Sequence, residues 1–188
     1  MRRVSEAAGF PIYTVGHSTR SIDEFIDLLR AGRVGRVADI RTVPKSRRNP
    51  QYGGDVLGDA LHGRQIGYVR IARLGGLRGP SPGVPPETNA LWRNGSFHNY
   101  ADYALGPEFE AGLDELLRLA DERPTAMMCA EAVWWRCHRR IVADHLLARG
   151  REVLHLMDDR ITAATMTPGA QVAKGKVTYP APDQGIGT

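Results

Sequence analysis

The chain has 188 residues, of which 42% are hydrophobic, the size of one ordinary domain that buries its own core without help from disulfides or a structural metal. It has two cysteines, no apolar run of about 18 residues and no charged N-terminus leading into an apolar signal core, so the expectation is a cytoplasmic protein with no membrane association. The net charge of +4 suits an anionic partner. Only Lys45, Lys174 and Lys176 among the basic residues are lysines, and an arginine bias of that kind reflects genome composition as readily as phosphate binding.

Strand and helix signals alternate along the chain, the pattern of an α/β domain. Ile12-Tyr13-Thr14-Val15 reads as a buried strand ending in Gly16-His17-Ser18. Ser21 with Glu24 forms a capping box, the stripe Ile22, Phe25, Ile26 and Leu29 predicts a helix behind it, and Gly32 stops it. Val37-Ala38-Asp39-Ile40 is a second strand, running into the basic segment Arg41 to Arg48 where Pro44 forbids simple continuation. A short helix over 56–65 and a strand over 67–71 follow.

From Leu74 to Asn94 glycines and prolines make a long irregular loop, of a length that inside a domain is functional or disordered. Helical periodicity returns over 100–105 and again from Pro107 to Ala120. Thr125-Ala126-Met127-Met128 is a fourth strand leading to Cys129, and a helix beginning near Cys137-His138 runs to Arg149 with Gly150 as its stop. A fifth strand spans 152–156. The expected organisation is an N-terminal extension over 1–10, one α/β domain over 11–160 with a mainly parallel, roughly five-stranded sheet between helices (Rossmann-like, three-layered), and a loosely structured tail over 161–188.

In a parallel sheet the C-terminal strand ends meet on one edge, which gathers Gly16-His17-Ser18, Asp39 with Arg41, and Cys129 with Glu131. Cys129 is either a small buried thiol or a nucleophile activated at a helix N-terminus. Glu131 is either an ion-pair partner of Arg136 or Arg139, or a general acid/base. A metal held by Cys129, Cys137 and His138 can be drawn, but the gap between the thiols does not match the usual short zinc spacings, so no metal is expected; a redox pair is a further option. Around Arg41, the cations Lys45, Arg47 and Arg48 with Ser46 form either a solvated basic loop or a phosphate site. Trp92, Trp134, Trp135, Tyr52, Tyr100 and Tyr103 are available to stack bases, or to pack in the core. Walker, GxGxxG, HExxH and GxSxG signatures are missing, so no cofactor is specified.

Thr14-Val15-Gly16-His17-Ser18, Phe25 with Leu28-Leu29, Asp39-Ile40-Arg41 with Pro44 and Ser46-Arg47, Leu74-Gly75-Gly76, Met128-Cys129-Ala130-Glu131 and Cys137-His138-Arg139 occur in this order between Ile12 and His155. Together they resemble the domain-of-unknown-function 488 family. The resemblance implies one α/β domain with these residues near one site, and no established reaction. The expectation is an enzyme acting on a phosphorylated nucleotide or nucleic-acid substrate in a basic cleft. In it His17, Glu131, Cys129 and Asp39 are the catalytic candidates, and Ser18, Arg41, Ser46, Arg47, Arg139 and His138 the binding candidates. The alternatives are a non-catalytic nucleic-acid-binding module and a thiol-based sulfurtransferase or redox protein. The sequence does not set the oligomeric state.

Overall fold

The computed structural model describes residues 9–158 and 160–182. Five strands, Ile12–Gly16 (β1), Arg36–Asp39 (β2), Gly67–Arg70 (β3), Thr125–Cys129 (β4) and Val153–Leu156 (β5), pair in parallel in the order β3-β2-β4-β1-β5. A sixth, Ile161–Ala163 (β6), pairs antiparallel with β5 and closes that edge. The central strand β4 therefore separates β1 from β2, with Cys129 beside Gly16 on one side and Met128 beside Asp39 on the other.

Helices Ile22–Ala31 (α1) and Gly54–His62 (α2) cover one face, and Gly95–Tyr103 (α3), Pro107–Glu122 (α4) and Arg139–Ala148 (α5) cover the other. Strand alternation sends Ala126 and Met128 to the α1/α2 side, packed with Phe25, Leu29 and Leu57. Met127 and Cys129 go to the α4/α5 side with Leu113, Leu116 and Ile141. Both faces are covered, as a parallel sheet requires, and the result is a single three-layer α/β domain.

Local signals set the element ends. Ser21 caps α1 and the Glu24 side chain accepts from the Ser21 backbone N–H at 2.7 Å, completing the box. Gly150 follows α5 with φ +73, a conformation a side chain would strain. Two ends differ from the pattern-based boundaries. α2 starts at Gly54, earlier than the expected 56, and α3 starts at Gly95 because Asn94 accepts the Ser96 amide at 2.9 Å, ahead of the apolar periodicity.

The expectation of a loose tail from residue 161 is not met over residues 161–182. After β6, strands Gln171–Ala173 (β7) and Lys176–Thr178 (β8) form a hairpin, and Val177 and Tyr179 are fully buried. The tail lacks amphipathic periodicity because distant polar groups hold it. The Tyr179 hydroxyl donates to Asp144 Oδ2 at 2.8 Å, its amide donates to Asn89 Oδ1 at 3.0 Å, and its carbonyl accepts from the Leu91 amide at 2.9 Å. That clamp also fastens the irregular 74–94 loop to the domain. The expected extension over 1–10 falls largely outside the described residues, as does the end of the tail beyond residue 182.

Candidate functional site

At the C-terminal edge of the sheet the chain continues past each strand into the same space. The His17 amide donates to the Cys129 carbonyl at 3.0 Å, Ser18 to Ala130 at 2.9 Å, and Ile40 to Met128 at 3.0 Å, so the three loops leave the sheet in register. A cavity of about 610 Å³ opens between them, within the size range of small-ligand sites. His17, Ser18, Arg41, Ser46, Cys129, Glu131 and His138 all line it, as strand ends of one parallel sheet should.

Two glycines allow the loops to close this space. A β-carbon on Gly16 would stand 1.7 Å from the Glu131 carbonyl oxygen, because the segment after β4 crosses directly over the end of β1. A β-carbon on Gly76 would stand 2.5 Å from Nδ1 of His138, so the imidazole occupies the room a side chain would take. The Gly16-His17 and Gly75-Gly76 pairs are thus requirements of close approach.

Asp39 lies fully buried beneath the cavity and does not line it. Its carboxylate accepts from Arg41 Nε at 2.9 Å, the Arg41 amide at 3.0 Å, Arg41 Nη2 at 2.5 Å and the Tyr68 hydroxyl at 2.6 Å. The fork fixes the guanidinium plane, and the net effect holds the Arg41 pKa above its ordinary value although burial works against it. Arg41 Nη1 points to His17 Nε2 at 3.3 Å. His17 Nδ1 donates to the Ser18 carbonyl at 2.8 Å, which leaves Nε2 as the lone-pair nitrogen facing Arg41. The ring stacks on Tyr52 at 4.1 Å. Burial pushes the His17 pKa down to about 4, so it is a neutral acceptor that orients Arg41 and has no proton to give at neutral pH. Asp39 likewise is bonded to Arg41 and does not face the cavity.

Arg139 and Arg47 do not line the cavity. Arg139 is buried under the segment after β4 and donates from Nη2 to the Glu131 carbonyl at 2.6 Å. Burial pushes its pKa down to about 9, opposed by Glu131, and it stays a cation that anchors this loop. Among the described residues, the cations that line the space are Arg41, Lys45, Arg48 and Arg136, against the single carboxylate of exposed Glu131. Ser46 accepts the Asn49 amide at 2.9 Å and shapes the turn that presents Lys45 and Arg48. Lys45 and Arg48 were legible as a basic run, whereas Thr42 and Phe97 carry no local signal: Phe97 arrives from the first turn of α3, more than thirty residues upstream of Cys129.

Cys129 does not sit at a helix N-terminus. Residues 130–138 separate it from α5, with a single 3₁₀ turn at Trp134–Arg136, where Trp134 stacks on His155 at 4.3 Å. His155 itself pairs through Nδ1 with the Thr14 hydroxyl at 2.8 Å and stays outside the cavity. This excursion brings Cys137 back against Cys129, with the sulfurs 2.50 Å and the Cα atoms 7.7 Å apart. His138 Nε2 donates to the Ile40 carbonyl at 3.1 Å, and Nδ1 faces the Cys137 sulfur at 3.5 Å. Burial lowers the His138 pKa to about 4, with the Ile40 carbonyl opposing the shift.

No helix among the described residues is long and apolar enough to cross a membrane. Comparison with curated proteins and with solved structures returned no match. The family model described as Domain of unknown function DUF488 matches residues 21–146, a span that holds Asp39, Arg41, both cysteines and the segment between them, and the chain belongs to that family.

Proposed function

We propose that the cavity at the strand ends binds a small phosphorylated ligand of nucleotide size, and that the protein is an enzyme acting on it. The observation that carries this reading is the charge of the wall: Arg41, Lys45, Arg48 and Arg136 line a space of about 610 Å³ in which Glu131 is the only carboxylate among the described residues. A guanidinium fixed in place by Asp39, such as Arg41, is suited to donate its remaining Nη hydrogens to a phosphate oxygen. Lys45 and Arg48 add positive charges from the turn that Ser46 and Asn49 shape, and Phe97 offers a flat apolar surface for a base or other planar group. Glu131 is the group placed to move a proton, since His17 is neutral and engaged by Arg41.

A cavity of about 610 Å³ matches the size of a small molecule, whereas an extended strand of nucleic acid needs a longer surface. The two differ in salt dependence. A docking surface that neutralises several phosphates loses affinity steeply as salt rises, through counterion release, whereas one or two phosphate contacts give a shallow slope. Fluorescence titration with mononucleotides, single-stranded DNA and RNA over a range of salt is the test. The expected result is saturable mononucleotide binding with a shallow slope, weakened at least tenfold in Arg41→Met, and turnover lost in Glu131→Gln with binding retained. Tight, steeply salt-dependent binding of DNA or RNA alone would establish the docking-module reading instead, and absence of binding to all three removes the phosphate reading.

A further inference from the structure

We propose that Cys129, Cys137 and His138 form a zinc site whose fourth coordination position opens into the cavity. The two sulfurs and a ring nitrogen of His138 lie within 4.8 Å of one another, from two separate points of the fold: Cys129 at the end of β4, and the adjacent Cys137 and His138 just before α5. Two thiolates and one imidazole with an open position form a donor set that zinc accepts in catalytic sites. All three residues line the cavity, so the open corner faces the space where a ligand or water would sit.

The surroundings of His138 and Cys137 are those of held metal ligands. The Nε2–H of His138 is committed to the Ile40 carbonyl, which fixes the tautomer and leaves the Nδ1 lone pair toward the sulfurs, the arrangement that orients ligating histidines elsewhere. Tyr100 packs edge-on against the ring at 5.0 Å, and Gly76 leaves it room where any β-carbon would displace it. The Arg139 amide points at the Cys137 sulfur at 3.5 Å, a contact that favours the thiolate. On uptake the two thiols release two protons, so the dication and two thiolates sum to zero charge in a cavity already rich in cations.

A disulfide is the competing state of the same pair, and the backbone argues against it. Disulfides join Cα atoms about 4.4–6.8 Å apart, and these stand 7.7 Å apart. Two zinc–sulfur bonds of about 2.3 Å at a tetrahedral angle set the sulfurs roughly 3.8 Å apart, a wider bridge than a disulfide and one that suits the wider Cα separation. The spacing in sequence is longer than in short zinc knuckles because a strand end and a helix start hold the ligands here, in place of one tight loop.

The inference does not rest on the anion reading, because metal uptake is measured with no anionic ligand present. The full chain, reduced and stripped with a chelator, is titrated with Zn²⁺ against a chromophoric chelator and with Co²⁺ by absorbance. The expected result is one metal per chain, with a sulfur-to-cobalt charge-transfer band and the visible bands of a tetrahedral site. Cys129→Ser, Cys137→Ser and His138→Gln should each weaken zinc by at least a hundredfold, and Gly76→Val, which displaces the imidazole, by at least tenfold. Circular dichroism checks that each variant is folded, and His138→Gln carries the test if a cysteine variant is not. Two results would overturn the proposal: reduced protein that takes up no cobalt while free thiols are present, or uptake that His138→Gln leaves unchanged. Protein purified without reductant that shows no free thiols and binds no metal after reduction would identify the pair as a redox couple.

Discussion

Replacing Asp39 by alanine tests whether the Asp39–Arg41–Tyr68 assembly is the structural foundation of the cavity wall. The carboxylate is fully buried, takes three hydrogen bonds from Arg41 and one from Tyr68, and leaves a guanidinium only 7% exposed if it is removed. Breaking a buried ion pair from one side costs about 3–5 kcal/mol. The cavity wets one edge of Arg41, so the loss should fall near the lower end, about 3 kcal/mol. Against a total stability of roughly 5–15 kcal/mol that is a large fraction, and at about 2–4 °C per kcal/mol the melting temperature should drop by roughly 6–12 °C. Urea unfolding followed by circular dichroism measures it directly. The paired change Asp39→Leu with Arg41→Met removes both charges and should recover most of the loss while leaving ligand binding impaired. A single variant within about 1 kcal/mol of the parent, or a double variant no more stable than the single, would refute this account.

Acid stability should depend on buried neutral histidines. Burial, reinforced by Arg149 and Lys176, pushes the His145 pKa down to about 3, so the unfolded chain binds a proton that the native state refuses. The stabilisation is complete above the unfolded value near 6.5 and is lost as pH falls toward the folded value; His145→Leu should flatten the decline in unfolding free energy between about pH 6.5 and 4, and an unchanged slope would contradict it. Gly16→Ala should destabilise the fold or expel the 130–138 segment from the strand end, since its methyl meets the Glu131 carbonyl at 1.7 Å. Faster amide exchange at Ser18, which donates to the Ala130 carbonyl, would report that release, and parent-like exchange with parent-like stability would show that the approach is looser.

The capping box at Ser21, the strand run into Cys129 and the convergence of strand ends are local or periodic signals, and each stands in the structure where the pattern puts it. What the sequence withholds is direction and return. A run such as Lys45 to Arg48 shows that cations are present, but the turn closed by Ser46 and Asn49 decides that Lys45 and Arg48 face the cavity and Arg47 does not. Arg139 follows Cys137-His138 directly yet is turned inward, because the Glu131 carbonyl above it needs a donor. The meeting of Cys137 with Cys129 depends on a seven-residue excursion folded back by Trp134 against His155, which spacing rules for short metal loops do not describe. The hairpin after residue 170 is invisible for the same reason: Tyr179 is held by Asp144, Asn89 and Leu91 from distant parts of the chain.

The insertion of β4 between β1 and β2 bears on how the protein is made. When β1 and β2 leave the ribosome they have no pairing with each other, and each must wait for the strand that lies between them. β4 begins at Thr125 and β2 ends at Asp39, so at about 5–20 residues per second roughly 4–17 s of synthesis separate them. During that interval Tyr13-Val15 has neither of its partner strands, and Val37-Ala38 has only β3 on one side and an open edge on the other. The length of time for which a chaperone has a target is therefore written into the strand order, and slowing translation within α4 lengthens it without altering a single native contact.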